Sequence, residues 1–443
     1  MSTVAQQASG SGFSTGEADG ASWIDAEVAG CALGDKRLGD RLRRLLHQME
    51  GAMGAPLPLA CQDWANTKAA YRFFSSKRFG EEAILAGHFR ATASRVAATP
   101  GLVLVIQDTT TSSFPWAKPE TIGLIGRATI GWDRNGNPRT HTQCGLLMHS
   151  SFVVTLEGLP LGLAAVQFWS RKEFHDAREL KRHVNPTRVP IEEKESIRWL
   201  SSMEQSRALL GDPGRCVYVG DRENDIYEFF CAAREAGTHF LVRTCVDRLA
   251  DDGRRTVARI MARVPVAGQH RIEVTAEDGT VSEAALSLRY KRVHILPPVA
   301  KQKRYPALDL TVIHAREARK PRGRERIEWK LVTDLAINSP EDAVEKLQWY
   351  AQRWKIELFH KILKSGGHVE AARLRTAERL TKLIAVFCIL SWRSFWTTMV
   401  NRIAPDAPPQ SALTDAEMTV IDRAVRDVPH PVPWTMCCTM RRA

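Results

Sequence analysis

Three acidic residues far apart in the chain stand where chemistry could be done. One lies in the segment 349–367, WYAQRWKIELFHKILKSGG, where Tyr350, Arg353, Glu357, Lys361 and Lys364 recur every three or four residues. At about 100° per residue they fall within roughly 80° of one another, so a helix here carries one polar stripe. Leu347, Trp354 and Leu358 flank the stripe on one side, Trp349, Ile356 and Leu363 on the other, and Phe359 and Ile362 lie behind. That pattern predicts a mostly buried helix whose stripe lines a cleft. Glu357 then either pairs with Arg353 and Lys361 one turn away, or is held ready for a metal ion and a phosphate. The other two acids close apolar runs: Asp108 in GLVLVIQDTTTSSF (101–114) and Asp221 in RCVYVGDREND (215–225). A buried strand delivers a polar residue to a sheet edge in this way. Three such carboxylates suit a hard divalent cation such as Mg²⁺. Two ions roughly 4 Å apart can activate an attacking oxygen and stabilise the leaving one in a phosphoryl displacement.

The elements that must position these acids can be read in order. Residues 1–22 are rich in Ser, Gly and Ala and predict a disordered tail. Residues 23–97 carry a helical, basic pattern, including LGDKRLGDRLRRLLHQM at 33–49. The apolar run before Asp108 is a first strand, and CGLLMHSSFVVTLEG with LPLGLAAVQFW (144–169) predicts a hairpin closed around Glu157-Gly158. A helix near 191–210 leads to the strand before Asp221, and THFLVRT (238–244) supplies a fifth strand. This order is that of an α/β fold with a ribonuclease H-like catalytic core, spanning 98–244 and resumed at 341–402 by the polar-striped helix and a core-closing helix. In such a sheet the first and fourth strands are neighbours, so Asp108 and Asp221 can meet and a flanking helix can add Glu357. Between 245 and 340, alternating segments broken by Gly and Pro predict an inserted β subdomain. Residues 289–330 hold thirteen Lys or Arg against four acids, nine of the twelve net positive charges of the chain. Residues 403–443 form a short C-terminal region.

With 443 residues, 44% of them hydrophobic, the chain can bury a large core, and its net charge of +12 favours a polyanionic partner. The longest apolar run, LIAVFCIL at 383–390, is short of the ~20 residues of a membrane span. Nine cysteines without a C-x-x-C pair predict free thiols and a reducing, cytoplasmic, nucleoid-associated setting.

Tyr350, Arg353, Glu357 and Lys364 fit the spacing Y-x2-R-x3-E-x6-K, and the blocks LGDKRLGDRL, KAAYRFF, IQDTT, KESIRWL, GDREND, FLVR and YAQRWKIELFHK follow one another between about Trp23 and residue 400. On these the chain resembles the DDE transposases of the insertion sequence four family. The resemblance implies that Asp108, Asp221 and Glu357 are the catalytic, metal-binding triad, using Mg²⁺ with Mn²⁺ as a substitute. It further implies that Tyr350, Arg353, Lys361 and Lys364 hold phosphates at a transposon end, where DNA is cut, joined into a hairpin, reopened and transferred to target DNA. Arg243, 22 residues after Asp221, matches another DNA-contacting arginine. Trp329, in EWKLVT, matches a tryptophan that stacks on a base flipped out of the hairpin. The N-terminal helices would bind the inverted-repeat end, with Lys36, Arg37, Arg41, Arg43 and Arg44 as candidate phosphate contacts. A homodimer in the paired-end complex is expected, although only about 40 residues follow 402 where the family has a long dimerising region. Two other functions use the same features: a ribonuclease H-like nuclease without strand transfer, and a transposase-derived DNA-binding regulator.

Overall fold

The run Val103–Ile106 is fully buried and opens β1 (Val103–Ser113), the strand around which the fold is organised. The computed structural model describes residues 22–134, 136–171, 189–275, 281–319, 321, 324–406, 408–409, 413 and 415–426. After β1 come β2 (Leu124–Trp132), β3 (Pro138–Val154), β4 (Pro160–Trp169), β5 (Cys216–Gly220) and β6 (His239–Arg243). β3 runs antiparallel to β1 and β4, while β5 lies parallel to β1 and β6 parallel to β5. Across the sheet the order is β4-β3-β1-β5-β6, with β3 alone reversed. β3 turns into β4 around Gly158, whose φ of +90° is a left-handed conformation that glycine adopts without strain.

The segment expected to form an inserted β subdomain supplies β7 (Leu249–Ala250), β8 (Arg255–Thr256), β9 (Gly268–Thr275), β10 (Val281–Ile295), β11 (Leu308–Glu317) and β12 (Glu328–Thr333). It is not a separate layer. β12 pairs with β6 at Leu331↔Arg243, and β11 and β10 follow, so one sheet of twelve strands runs through both parts.

Helices cover the sheet. The chain begins with α1 (Trp23–Val28), α2 (Lys36–Glu50), α3 (Leu57–Cys61), α4 (Trp64–Phe74) and α5 (Glu81–Ala98), and a single turn, α6 (Pro119–Ile122), follows β1. Then come α7 (Ile197–Leu210), α8 (Tyr227–Glu235), α9 (Val257–Ala262), α10 (Pro340–Ala351), α11 (Trp354–Gly367), α12 (Ala377–Ile403) and α13 (Asp415–Arg426). Side chains alternate along each strand. Leu104, Ile106, Phe152, Val217 and Val219 share a core with α2, α4, α11 and α12, whereas Val103, Val105, Val153 and Tyr218 pack with Trp199, Met203, Phe229 and Phe230 of α7 and α8. Phe152 stacks on Phe359 at 4.9 Å and on Phe395 at 5.9 Å between ring centroids, which joins α11 and α12 to the sheet. α12 has the length and apolar character of a membrane span, but 67% of its most apolar window is buried inside the protein, so here it is a core helix.

The continuous helix expected across 341–367 is broken in two. Bonds from Arg353 N to Tyr350 O (3.0 Å), Lys355 N to Gln352 O (2.9 Å) and Ile356 N to Arg353 O (3.2 Å) have three-residue spacing. The chain is therefore wound more tightly than 100° per residue at this junction, and a uniform helical wheel fails across it.

Candidate active site

The alternation that sorts the two cores also aims the acids. Asp108 follows Leu104 and Ile106 at steps of two, and Asp221 follows Val217 and Val219 in the same way. β1 and β5 are in register at Ile106↔Val219, so each Asp stands two residues beyond a matched pair, on the face that α11 covers. β5 ends at Gly220, and Asp221 opens a 3₁₀ turn by accepting a bond from Glu223 N at 2.8 Å. That turn needs glycine before it, since a Cβ on Gly220 would sit 2.5 Å from the buried Asn224 side chain. β1, in contrast, does not end at Asp108 but continues to Ser113 paired with β3.

Arg353 links the helix to the sheet. Its guanidinium donates to Glu357 Oε1 at 2.6 Å and lies 3.9 Å from Asp108 Oδ2. Asp108 is largely buried, and its carboxyl is pushed up to about 6, first by burial and then by the charges of Asp221 and Glu357, against the opposing pull of Thr109 N–H and Arg353. The charges of Asp221 and Glu357 thus both act against ionised Asp108, and Arg353 opposes them. Glu357 differs from its expected setting: its side chain is 48% exposed, so the stripe faces outward at this point. Trp354, expected as an apolar flank, is 57% exposed, because the tightened turn swings it away from the core. Among the described residues, no three His, Cys, Asp or Glu side chains are drawn close enough to close on a metal ion. Glu357 is instead turned to Arg353.

The neighbouring residues of the signature divide into two groups. Tyr350 is buried, meets Trp329 edge-to-face at 5.8 Å, and its phenol is pushed up by burial and Asp221 against Arg353 and Arg243. Arg243 donates to Glu328 O at 3.0 Å. Tyr350, Trp329, Arg243 and Arg353 therefore gather beside the acids. Lys361 is exposed further along α11, and Lys364, half-buried, lies near His360, whose imidazole is held at about 3 by burial and by that lysine. The N-terminal cations are elsewhere. On α2, Lys36, Arg37 and Arg44 are exposed, Arg41 donates to Asn66 Oδ1 at 3.1 Å, and Arg43 is engaged by Asp25 at 2.5 Å and Asp40 at 3.0 Å.

One residue of the site carried no role in the sequence reading. Arg198, from the KESIRWL block, donates to Thr109 Oγ1 (3.0 Å), Glu195 O (3.0 Å) and Glu223 Oε2 (2.5 Å). It bridges the residue after Asp108 to the turn that begins at Asp221, and Trp169 and Trp199 flank its guanidinium. Its position at the start of a helix preceding the second acid was visible; its reach across to β1 was not. Thr109 Oγ1 also meets Nδ1 of the buried His149 at 2.9 Å. Asp225, the second Asp of GDREND, is structural: it accepts from Thr244, Cys245 and Val246 at 2.7–2.8 Å and pairs with Arg248 at 2.6 Å.

Comparison with known proteins bears on the helices that precede this sheet. Residues 20–79 match a family model described as Transposase DNA-binding. The matched segment spans α1 to α4. A solved piggyBac transposase synaptic complex with hairpin DNA is also similar, at 9% identity and a TM-score of 0.31, a likeness too slight to define a shared fold. It covers 76% of this chain and 61% of that one, so the chain spans less than two thirds of the length of that transposase.

Proposed function

We propose that the protein is a cut-and-paste DNA transposase of the DDE type. It binds inverted-repeat ends through its N-terminal helices, cleaves them through a hairpin intermediate, and transfers the 3′ ends to target DNA. What supports this reading is that Asp108 and Asp221 follow matched positions of adjacent parallel strands, that the charges of Asp221 and Glu357 both act on Asp108, and that Arg353 reaches towards both Asp108 and Glu357, in a chain whose N-terminal helices match a transposase DNA-binding model. The strand order β4-β3-β1-β5-β6 with one reversed strand supports a ribonuclease H-like core.

The donor set fits a hard divalent ion. Asp108, Asp221 and Glu357 offer carboxylate oxygens only, and the Asp108 carboxyl, raised to about 6 first by burial and then by the charges of Asp221 and Glu357, is one whose ionised form a cation would favour. A bound Mg²⁺ or Mn²⁺ there supplies Lewis-acid polarisation of the scissile phosphate and lowers the pKa of the attacking water or 3′-hydroxyl. The chain's own residues do the rest. Arg353 pairs with Glu357 until a phosphate competes for its guanidinium, and Lys361 and Lys364 extend the cationic surface along α11. Trp329, half-buried and backed edge-to-face by the buried Tyr350, offers an aromatic face on which an extruded base can stack. As in paired-end synapsis generally, a homodimer would present two such sites.

The test is excision from a supercoiled plasmid bearing the cognate ends, with Mg²⁺ present. Asp108→Ala, Asp221→Ala and Glu357→Ala should each abolish cleavage and spare end binding. Cleavage retained in all three variants would overturn the assignment.

A further inference from the structure

β2 and the first half of β3 form a hairpin that no role above employs. The ladder between β1 and β3 passes Asp108↔Ser150 and stops at Ser113↔Gly145, whereas β3 back to Pro138 is paired with β2, ending at Trp132↔Pro138. At about 3.3 Å per residue, the stretch from Gly145 to Pro138 carries the hairpin about 20 Å beyond the end of β1. The ribbon therefore projects from the strand that borders Asp108, past the level at which β5 ends.

Its surface is unlike that of a structural hairpin. Ile130 is 67% and Trp132 69% exposed, outside the two buried cores of the described residues, and Arg134, Arg139 and His141 are exposed around them. The sole acid between 124 and 143, Asp133, is used inside the turn, accepting from Asn137 N at 2.8 Å and Asn137 Nδ2 at 3.2 Å. The exposed Arg134 and Arg139 thus stand beside one carboxylate already bonded within the turn. Such a surface suits a polyanion, and a second copy of this chain, at net +12, would be repelled by it. A two-stranded ribbon is also a shape that the major groove of duplex DNA admits.

We propose that the hairpin 124–142 is an arm for duplex DNA. Arg134 and Arg139 contact phosphates, and Trp132 packs against the sugars and base edges of the groove the ribbon enters. The arm rests on the transposase reading, since it holds the duplex that crosses the carboxylates, and its test is independent of cleavage.

Binding of a fluorescein-labelled duplex of random sequence, about 40 base pairs long, is measured by anisotropy across a salt series with the full chain. Losing two phosphate contacts in Arg134→Ala/Arg139→Ala should reduce the magnitude of the log–log salt slope by about 1.8 and weaken binding about tenfold or more near 0.15 M salt. Trp132→Ala should weaken binding with the slope unchanged. In the unaltered protein, trypsin cleavage after Arg134 and Arg139 should slow when the duplex is added, a readout that does not depend on any variant folding. Unchanged slopes and undiminished cleavage, with the parent still binding DNA, would overturn the arm and leave the transposase reading standing. Concentration-dependent dimerisation lost in the double variant would overturn it in favour of a second copy. A parent that binds no duplex at all would overturn both.

Discussion

Asp108→Asn is expected to make the metal-free protein more stable while destroying its activity. Asp108 titrates at about 6 in the folded chain against 3.8 for the ordinary group, because it is buried beside Asp221 and Glu357. A carboxyl whose folded pKa is raised stabilises the fold fully below its unfolded value, and that contribution is lost as pH rises through about 6. The gap between the two values corresponds to about 3 kcal/mol at pH 7.5, and the 19% exposure of the side chain leaves little solvent to screen it. Asparagine keeps an oxygen for Thr109 N–H, which reaches Asp108 Oδ1 at 2.8 Å, and removes the charge. In denaturant titrations without metal, the variant should therefore exceed the parent by up to about 3 kcal/mol at pH 7.5, with a melting temperature higher by a few degrees, and the gap should close by pH 4. Added Mg²⁺ should raise the melting temperature of the parent and leave that of the variant unmoved, since a ligand stabilises only a state that binds it. A variant less stable than its parent at pH 7.5 would show that burial does not disfavour the Asp108 carboxylate, and one that still responds to Mg²⁺ would show that Asp108 is not a ligand of the ion.

Other perturbations separate packing from chemistry. Arg198→Ala should lower cleavage about 100-fold and raise the Mg²⁺ concentration needed, while costing the fold only about 1–3 kcal/mol, because the bond that positions Thr109 against the Asp221 turn is lost; Arg198→Lys should recover part of the metal affinity, and an unchanged metal dependence would make the residue merely structural. His360, held near 3, is a base whose folded pKa is depressed, so its contribution is present above 6.5 and falls as pH drops. Between pH 6.5 and 5.0 that amounts to about 2 kcal/mol, and His360→Gln, which keeps a partner for Ser150 Oγ at 3.0 Å, should flatten the slope seen in urea titrations. Phe152→Ala removes the ring between Phe359 and Phe395 and should cost about 3–5 kcal/mol, with amide exchange in α11 accelerating before that in β5.

Much of this architecture was legible because strands announce themselves by runs of apolar residues. The five strands of the first part, the turn at Gly158 and the acids Asp108 and Asp221 all follow from such runs. The shared face of the two acids was also encoded, in the steps of two from Ile106 and Val219. What the sequence could not convey was lateral pairing. Nothing in ALDLTVIHA says that β12 will join β6, because alternation specifies which face is buried and not which edge is adjacent. The hairpin at 124–142 is not marked in the sequence, since its apolar residues are few, interrupted by Gly126 and Gly131, and those nearest its tip, Ile130 and Trp132, face outward and not into a core. A constant 100° per residue puts Glu357 on a buried stripe, but around Gln352–Arg353 the backbone hydrogen bonds shorten to three-residue spacing and its side chain is half exposed. Arg198 shows the complementary limit. A charged residue opening a helix has many partners of equal merit until the sheet brings Thr109 and Glu223 within its reach.

The most direct measurement is cleavage of the polypeptide itself by Fe²⁺ bound in place of Mg²⁺, with ascorbate and peroxide generating radicals at the ion. If Asp108, Asp221 and Glu357 grip one cation site, chain breaks should appear near residues 108, 221 and 357 together, at a single Fe²⁺ concentration, and Asp108→Asn or Glu357→Gln should erase all three at once. Breaks at one of these positions alone, or breaks that survive in both variants, would contradict a shared site.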